Sequence, residues 1–202
     1  MNILSDFNQK LILEDEVVLL RPLELSDYDN LLPFTHNEPQ TWHYSLQRPD
    51  TEENLHQYLS AAISDRENKT SYPFIVFDKR SNSFAGSTRF YDINPGYRSA
   101  QLGYTWYGED FRGTKLNKHC KFLLLRYAFE TLELERVEFR ADKNNSRSIA
   151  AMKSIGCTVE GVLRSHMPTI EGGRRDTIVL SILRDEWFKN VKSALQSAVK
   201  LM

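Results

Sequence analysis

The sequence predicts a mixed α/β domain of the α+β type, built on one largely antiparallel sheet. Three observations carry this. β-rich runs and amphipathic helical patterns follow in the order strand, two helices, three strands, helix, strand, helix, two strands and a last helix. The three central strands are separated only by the turn signals "KRSN" and "NPGYR". The chain has 202 residues, 41% hydrophobic and 26% charged, which is globular composition at the size of one domain. No repeat, low-complexity tract or linker divides it, so one domain is expected over 1–202. Its core would span about 16–184 and a C-terminal helix about 184–200, on a sheet of about seven strands with helices on both faces.

The elements follow in order. "EVVLLRPLE" (16–24) is a short β-rich run ended by Pro22. "LSDYDNLLPF" starts a helix with Ser26 as its cap. "PDTEENLHQYLSAAISDR" (49–66) is a second helix. Asp50 or Thr51 caps it, two glutamates sit in its first turn, and its apolar stripe is Leu55, Tyr58, Leu59, Ala62 and Ile63. "SYPFIVFD" (71–78), "SFAGSTRFYDI" (83–93) and "AQLGYTWYG" (100–108) are strands. A long helix runs from about Lys115 to Leu132. "RVEFRA" (136–141) is a strand, and "NSRSIAAMKSIG" (145–156) a short helix closed by Gly156. "CTVEGVLRSHM" and "RRDTIVLSIL" are strands around the "EGG" turn. The final helix carries Trp187, Phe188, Val191, Leu195 and Val199 as an apolar stripe.

Composition excludes several functions. The formal net charge is −1, so no global electrostatic pull on nucleic acid or an anionic membrane is expected, and any anion site must be local. No apolar run reaches membrane-spanning length. "MNILSDFNQKLILEDE" has neither the basic nor the apolar region of a leader. Cys120 and Cys157 form no CxxC, and the five histidines show no ligand spacing, so neither a metal site nor a disulfide is expected. These features fit a cytoplasmic protein.

One pattern runs against elementary electrostatics. The long helix opens with Arg112, Lys115, Lys118 and Lys121 at intervals of three and no acid after Asp110. A helix N-terminus carries partial positive charge and disfavours cations. A strand, a short loop and a basic helix start together make a phosphate site, in which exposed N–H groups bind the anion and lysines add charge. A solvated basic face fits the charges equally well. The Walker spacing is absent, and Gly113 alone does not make a dinucleotide fingerprint.

"GYTWYGEDFRGTKLNKHCKFLLLRYAFE" followed by "RVEFRADKNNSRSIAAMKSIGCTVEGVLR" resembles the GNAT N-acetyltransferase superfamily, and within it the Rim-type ribosomal-protein N-terminal acetyltransferases. The resemblance runs from "VVLLRPLELSDYDNL" to "RRDTIVLSILRDEW". It rests on the order and spacing of three elements: a phosphate-loop pattern over Arg112–Asn117, N-x-x-S over Asn145–Ser148, and the helix–Gly–strand junction "MKSIGCTVEGVLR". It implies the GNAT fold and acetyl-CoA as co-substrate, without a metal, held in a V-shaped split between two strands. The backbone of Thr105, Trp106 and Tyr107 would pair with the pantetheine arm. The N–H groups of Arg112, Gly113, Thr114, Lys115, Leu116 and Asn117 would cradle the pyrophosphate, with Lys115, Lys118 or Lys121 reaching phosphates. Asn145 would bond the pantetheine amide or a water. Ser148 would protonate the departing thiolate. A backbone N–H near Trp106 or Tyr107 would polarise the thioester carbonyl.

The chain departs from the pattern. Lys115 and Asn117 stand where the loop has small residues. Gln101 stands where many relatives carry a glutamate that helps deprotonate the amine, and Gln cannot act as a base. Glu160, Asp176 and His166 are the substitutes, with Glu160 first. His43, Tyr44, Arg89, Tyr91 and Gln101 are expected to bind the acceptor, a small-molecule amine or a protein N-terminus, while Trp42 packs in the core. The resulting expectation is an acetyl-CoA-dependent N-acetyltransferase, monomeric or homodimeric, with no nucleic-acid or membrane partner. Its rivals are a non-catalytic CoA-binding module, motivated by Gln101, and a reader of nucleic acid or phosphoprotein using the basic helix.

Overall fold

The computed structural model describes residues 7 and 9–200. One eight-stranded sheet has the order β1-β2-β3-β4-β5-β6-β8-β7. The strands are β1 (Leu13–Glu14), β2 (Val18–Pro22), β3 (Ser71–Asp78), β4 (Ser83–Asn94), β5 (Ser99–Tyr107), β6 (Arg136–Asp142), β7 (Thr158–Pro168) and β8 (Arg174–Leu183). Every neighbouring pair is antiparallel except β5–β6. That parallel pair needs a crossover, and the long helix α3 (Leu116–Arg126) supplies it, its last turns Tyr127–Thr131 widened to π geometry. The sheet has one strand more than the sequence suggests. β1 is two residues long, too short to show a two-residue period.

Helices α1 (Tyr28–Asn37) and α2 (Glu52–Glu67) cover one face. Thr51 caps α2, its Oγ1 accepting from Asn54 N at 3.1 Å. Ser26 is not the cap of α1. It lies in a 3-10 turn, Leu25–Asp27, where the Asp27 carboxylate accepts from Glu24 N. Leu31, Leu55, Leu59, Ile75 and Trp106 fill the space beneath. On the other face lie α3, the short helix α4 (Ser146–Ser154) and the C-terminal helix (Arg184–Glu186, Trp187–Val191 in π form, Lys192–Lys200). They bury Phe74, Phe90, Leu102, Leu123, Phe129, Val137 and Leu180. Trp187 is fully buried there, and its Nε1 donates to Glu130 at 2.9 Å. Burying a side chain of that size stabilises by about 3 kcal/mol. Cys120 and Cys157 are free and buried. Among the described residues no helix is long and apolar enough to cross a membrane. The leader expectation concerned the first sixteen residues, of which 1–6 and 8 lie outside the described ones.

Two irregularities of β5 position the site. Its ladder with β6 holds only at Ser99–Arg136, Ala100–Val137 and Gln101–Glu138. Beyond Gln101 the strands splay, and the β6-facing edge of 102–107 is left without a strand. β5 also bulges against β4: Arg89 pairs with Gly103 but Ser87 with Trp106, and Tyr104 takes φ +49. An extra residue shifts the facing of everything after it. Leu102 and Thr105 thus both face α3, while Tyr104 and Trp106 face α2.

Candidate functional site

The split between β5 and β6 opens into a cavity of about 680 Å³. The start of α3 forms one end of it. Phe111 and Arg112 lead from β5 into Gly113 at φ +75 and Lys115 at φ +66, and Thr114 Oγ1 locks the turn by donating to Phe111 O at 2.7 Å. Lys115 is the N-cap residue and offers no side-chain acceptor there. Among the described residues, none accepts from the backbone N–H groups of Gly113, Thr114, Leu116 and Asn117. A helix start with bare N–H groups and lysines in place of a capping acid is built for an anion.

The four cations do not act alike. Lys115 and Lys118 line the cavity. Arg112 lines it too, but its guanidinium is committed to Glu38, Glu109 and Thr41, and its Nε donates to Tyr107 O at 3.0 Å. Lys121 does not reach toward a phosphate. It faces the sheet, 5% exposed, between Thr88 and Thr105. A three-residue interval drifts around a 3.6-residue helix, so the fourth cation has turned from the mouth to the floor.

Thr105, Trp106, Tyr107, Asn117, Asn145 and Ser148 also line the cavity. The Trp106 ring points away from α3, packing on Trp42 at 4.7 Å with its Nε1 donating to Tyr58 Oη. Leu116 is wholly buried and offers only backbone. Asn145 caps α4, its Oδ1 accepting from Ser148 N at 3.0 Å, which leaves both amide N–H donors to meet a ligand.

The acceptor end differs from expectation in several places. Tyr44, Tyr91 and Gln101 line the cavity, and Tyr44 Oη donates to Asn144 O at 3.2 Å across its rim. His43 is exposed and outside the lining, its ring against Tyr44. Arg89 is 1% exposed and also outside it. Its guanidinium is layered between Tyr58 at 5.1 Å and Tyr104 at 4.3 Å, with Asp65 at 3.7 Å. The bulge at Tyr104 is what covers it. Glu160 is corrected as the base. It lies outside the cavity, held by the Arg136 guanidinium and by Ser181 Oγ, which donates to it at 2.6 Å. Arg136 holds its carboxyl below the usual range. Asp176 is likewise taken by Lys143 at 2.6 Å and Ser165 N at 2.7 Å, and His166 by Thr177 at 3.1 Å.

The carboxylate nearest the position of the missing glutamate is Asp92. It is exposed, lines the cavity, and accepts from Gln101 Nε2 at 2.8 Å. The other amide atom, Gln101 Oε1, is buried and has no hydrogen-bond partner among the described residues. The sequence does place Asp92 beside Tyr91, but only the irregular pairing between Tyr91 and Asn94, with Asp92 at φ +45, brings it to the strand end facing Gln101. Arg140, Asp142 and Arg175 complete the wall.

Known proteins place this geometry. The Acetyltransferase (GNAT) domain family matches residues 18–158. The chain is 32% identical over 105 residues to the Bacillus subtilis (strain 168) protein named "Putative ribosomal N-acetyltransferase YdaF", covering 52% of this chain and 56% of that one. It is 26% identical over 187 residues to the spermidine N(1)-acetyltransferase of Escherichia coli (strain K12), covering 91% of this chain and 95% of that one. The crystal structure of a GCN5-related N-acetyltransferase from Brucella melitensis superposes with a TM-score of 0.86 at 27% identity, over 94% of this chain and 85% of that one.

Proposed function

Because the chain belongs to the GNAT acetyltransferase family, we propose that it transfers the acetyl group of acetyl-CoA to a primary amine by direct attack in a ternary complex. The observation that carries this reading is one cavity in which a split strand pair meets the bare, lysine-flanked N-terminus of α3. The backbone N–H groups of Gly113, Thr114, Leu116 and Asn117 take the pyrophosphate, with Lys115 and Lys118 beside it. The free edge of β5 at Thr105–Tyr107 pairs with the pantetheine arm as a strand would. The Asn145 amide donates to the same arm.

The neutral amine attacks the thioester carbon from the side of Tyr91 and Gln101. Its proton passes through water to Asp92, which Gln101 holds in place. A backbone N–H near Trp106 polarises the carbonyl. The departing thiolate takes its proton from Ser148. The acceptor is a primary amine, either a protein N-terminus or a small molecule; one relative is named as a putative ribosomal N-acetyltransferase and another as a spermidine N(1)-acetyltransferase.

The test is release of the CoA thiol from acetyl-CoA across a panel of ribosomal-protein N-terminal peptides, polyamines and aminoglycosides. Turnover of one class at least a hundredfold above the others supports the reading. Tight acetyl-CoA binding without thiol release on any amine instead favours a CoA-binding module, the reading that Gln101 at the base position supports.

A further inference from the structure

Lys121 lies on the sheet-facing side of α3, four residues after Asn117, and both line the cavity. Its Nζ donates to Thr105 Oγ1 at 2.8 Å and to Thr88 Oγ1 at 3.3 Å, and stands 6.0 Å from the centre of the Phe139 ring. Thr105 is on β5 and Phe139 on β6. The ammonium therefore sits between the two arms of the split, just past the point where their ladder ends. An ammonium has three N–H donors. Two serve threonine hydroxyls, and among the described residues nothing accepts the third and no carboxylate pairs with the charge. The titratable groups that face it are thiols, Cys120 on its own helix and Cys157 just before β7. Burial pushes both thiols up to about 12, so they stay neutral. A lone buried cation is costly, and one lining a cleft is a candidate functional position.

We infer that Lys121 is a catalytic residue of acyl transfer, its third N–H donating to the thioester carbonyl oxygen of an acyl donor lodged between β5 and β6. This rests on the acetyl-CoA reading above. As the amine nitrogen bonds to the carbonyl carbon, the C=O π pair moves onto oxygen, and Lys121 faces the oxyanion at short range in a dry site. When the C=O re-forms, the C–S bond breaks and its electron pair leaves on the CoA sulfur, which takes one proton. The amine has meanwhile lost one. Lys121 keeps its own proton throughout and is required charged. Thr88 and Thr105 fix its direction, and their own short contact of 2.7 Å makes the three groups one unit.

Two measurements test this. The first is kcat and kcat/KM against pH for the wild type, Lys121→Met and Lys121→Arg, with the acetyl-CoA Kd measured alongside. Burial lowers the Lys121 ammonium to about 8. Wild-type kcat/KM, which reports the free enzyme, is therefore expected to fall above that pH, and kcat above a higher one, because the bound thioester holds the charged form. Lys121→Met should lose about a hundredfold in kcat together with that alkaline limb, with Kd within threefold, and Lys121→Arg should recover part of the rate. A Lys121→Met variant within threefold of wild-type kcat, or one that keeps the alkaline limb, overturns the inference. So does a loss confined to Kd. The second measurement is the ¹³Cε titration of Lys121 by NMR, which needs no acceptor. Acetyl-CoA should raise its midpoint, because a carbonyl now accepts from the charged form. An unchanged or lowered midpoint in a protein that binds acetyl-CoA overturns the inference alone. A folded wild type that binds neither acetyl-CoA nor CoA refutes the acetyltransferase reading itself.

Discussion

In the proposed mechanism Asp92 and Gln101 share the work that the resemblance assigns to one glutamate in many relatives. Gln101 has no proton to trade, yet its amide fixes a carboxylate at 2.8 Å and presents it to the cavity. Asp92→Asn keeps the size and the hydrogen bond to Gln101 and removes the charge. It is expected to lower kcat/KM about tenfold while leaving acetyl-CoA affinity within twofold, since water also reaches an exposed carboxylate. Steady-state kinetics with calorimetry decides this; an unchanged kcat/KM removes Asp92 from the proton path. The basic start of α3 that is proposed to hold the phosphates was legible in the sequence because its signal is local: cations at a helix start with no acid to balance them. The carboxylate proposed as the base was not legible. Its placement depends on the irregular β4–β5 pairing, which moves Asp92 toward Gln101, and no one-dimensional pattern encodes that. The same holds for Arg89, which reads as a strand cation facing an acceptor but lies beneath Tyr104.

At the scale of elements, β5 does most to make the site. It bulges at Tyr104, drops its ladder with β6 after Gln101, and leads into α3. Gly86 on β4 lets this happen, because it opposes Tyr107 just past the bulge. A Cβ there would sit 2.1 Å from the Trp106 carbonyl oxygen, a backbone atom with little room to move. Gly86→Ala is therefore expected to cost about 3 kcal/mol in urea unfolding, with a weaker acetyl-CoA affinity as the 105–107 edge shifts. A loss below about 0.5 kcal/mol would show that the two strands are not in forced contact. Strand and helix boundaries were largely readable from composition and turn residues: Ser71–Asp78 and Arg174–Leu183 fall where the β-rich runs begin and end. The bulge was not. Its residues, Gly103 to Thr105, continue an ordinary β-rich run.

At the scale of the molecule, stability and function oppose each other at Lys121. Its pKa is lowered from 10.5 to about 8 by burial, so the folded state binds fewer protons than the unfolded chain between those values. Below pH 8 both states are protonated and the full burial cost, about 3 kcal/mol, is present. As pH rises toward 10 that cost is relieved, so this residue makes stability increase with pH. The buried thiols Cys120 and Cys157, held up to about 12, lower stability over the same window in both proteins. Urea unfolding between pH 8 and 9.5 should therefore show a more positive slope of stability against pH in the wild type than in Lys121→Met, and Lys121→Met should be more stable at pH 7. Equal slopes in both proteins would mean that Lys121 is solvated.

The central claim is that the split of β5 from β6 and the bare start of α3 together hold acetyl-CoA. A calorimetric titration of the purified protein with acetyl-CoA, with ATP and a short RNA as controls and Gly113→Ala alongside, tests it most directly. A micromolar Kd, about −8 kcal/mol, for acetyl-CoA alone is expected. It should weaken in Gly113→Ala, where φ +75 disfavours any side chain and the N–H cradle must shift. A folded protein that binds no acetyl-CoA, or binds ATP or RNA as tightly, would contradict the account.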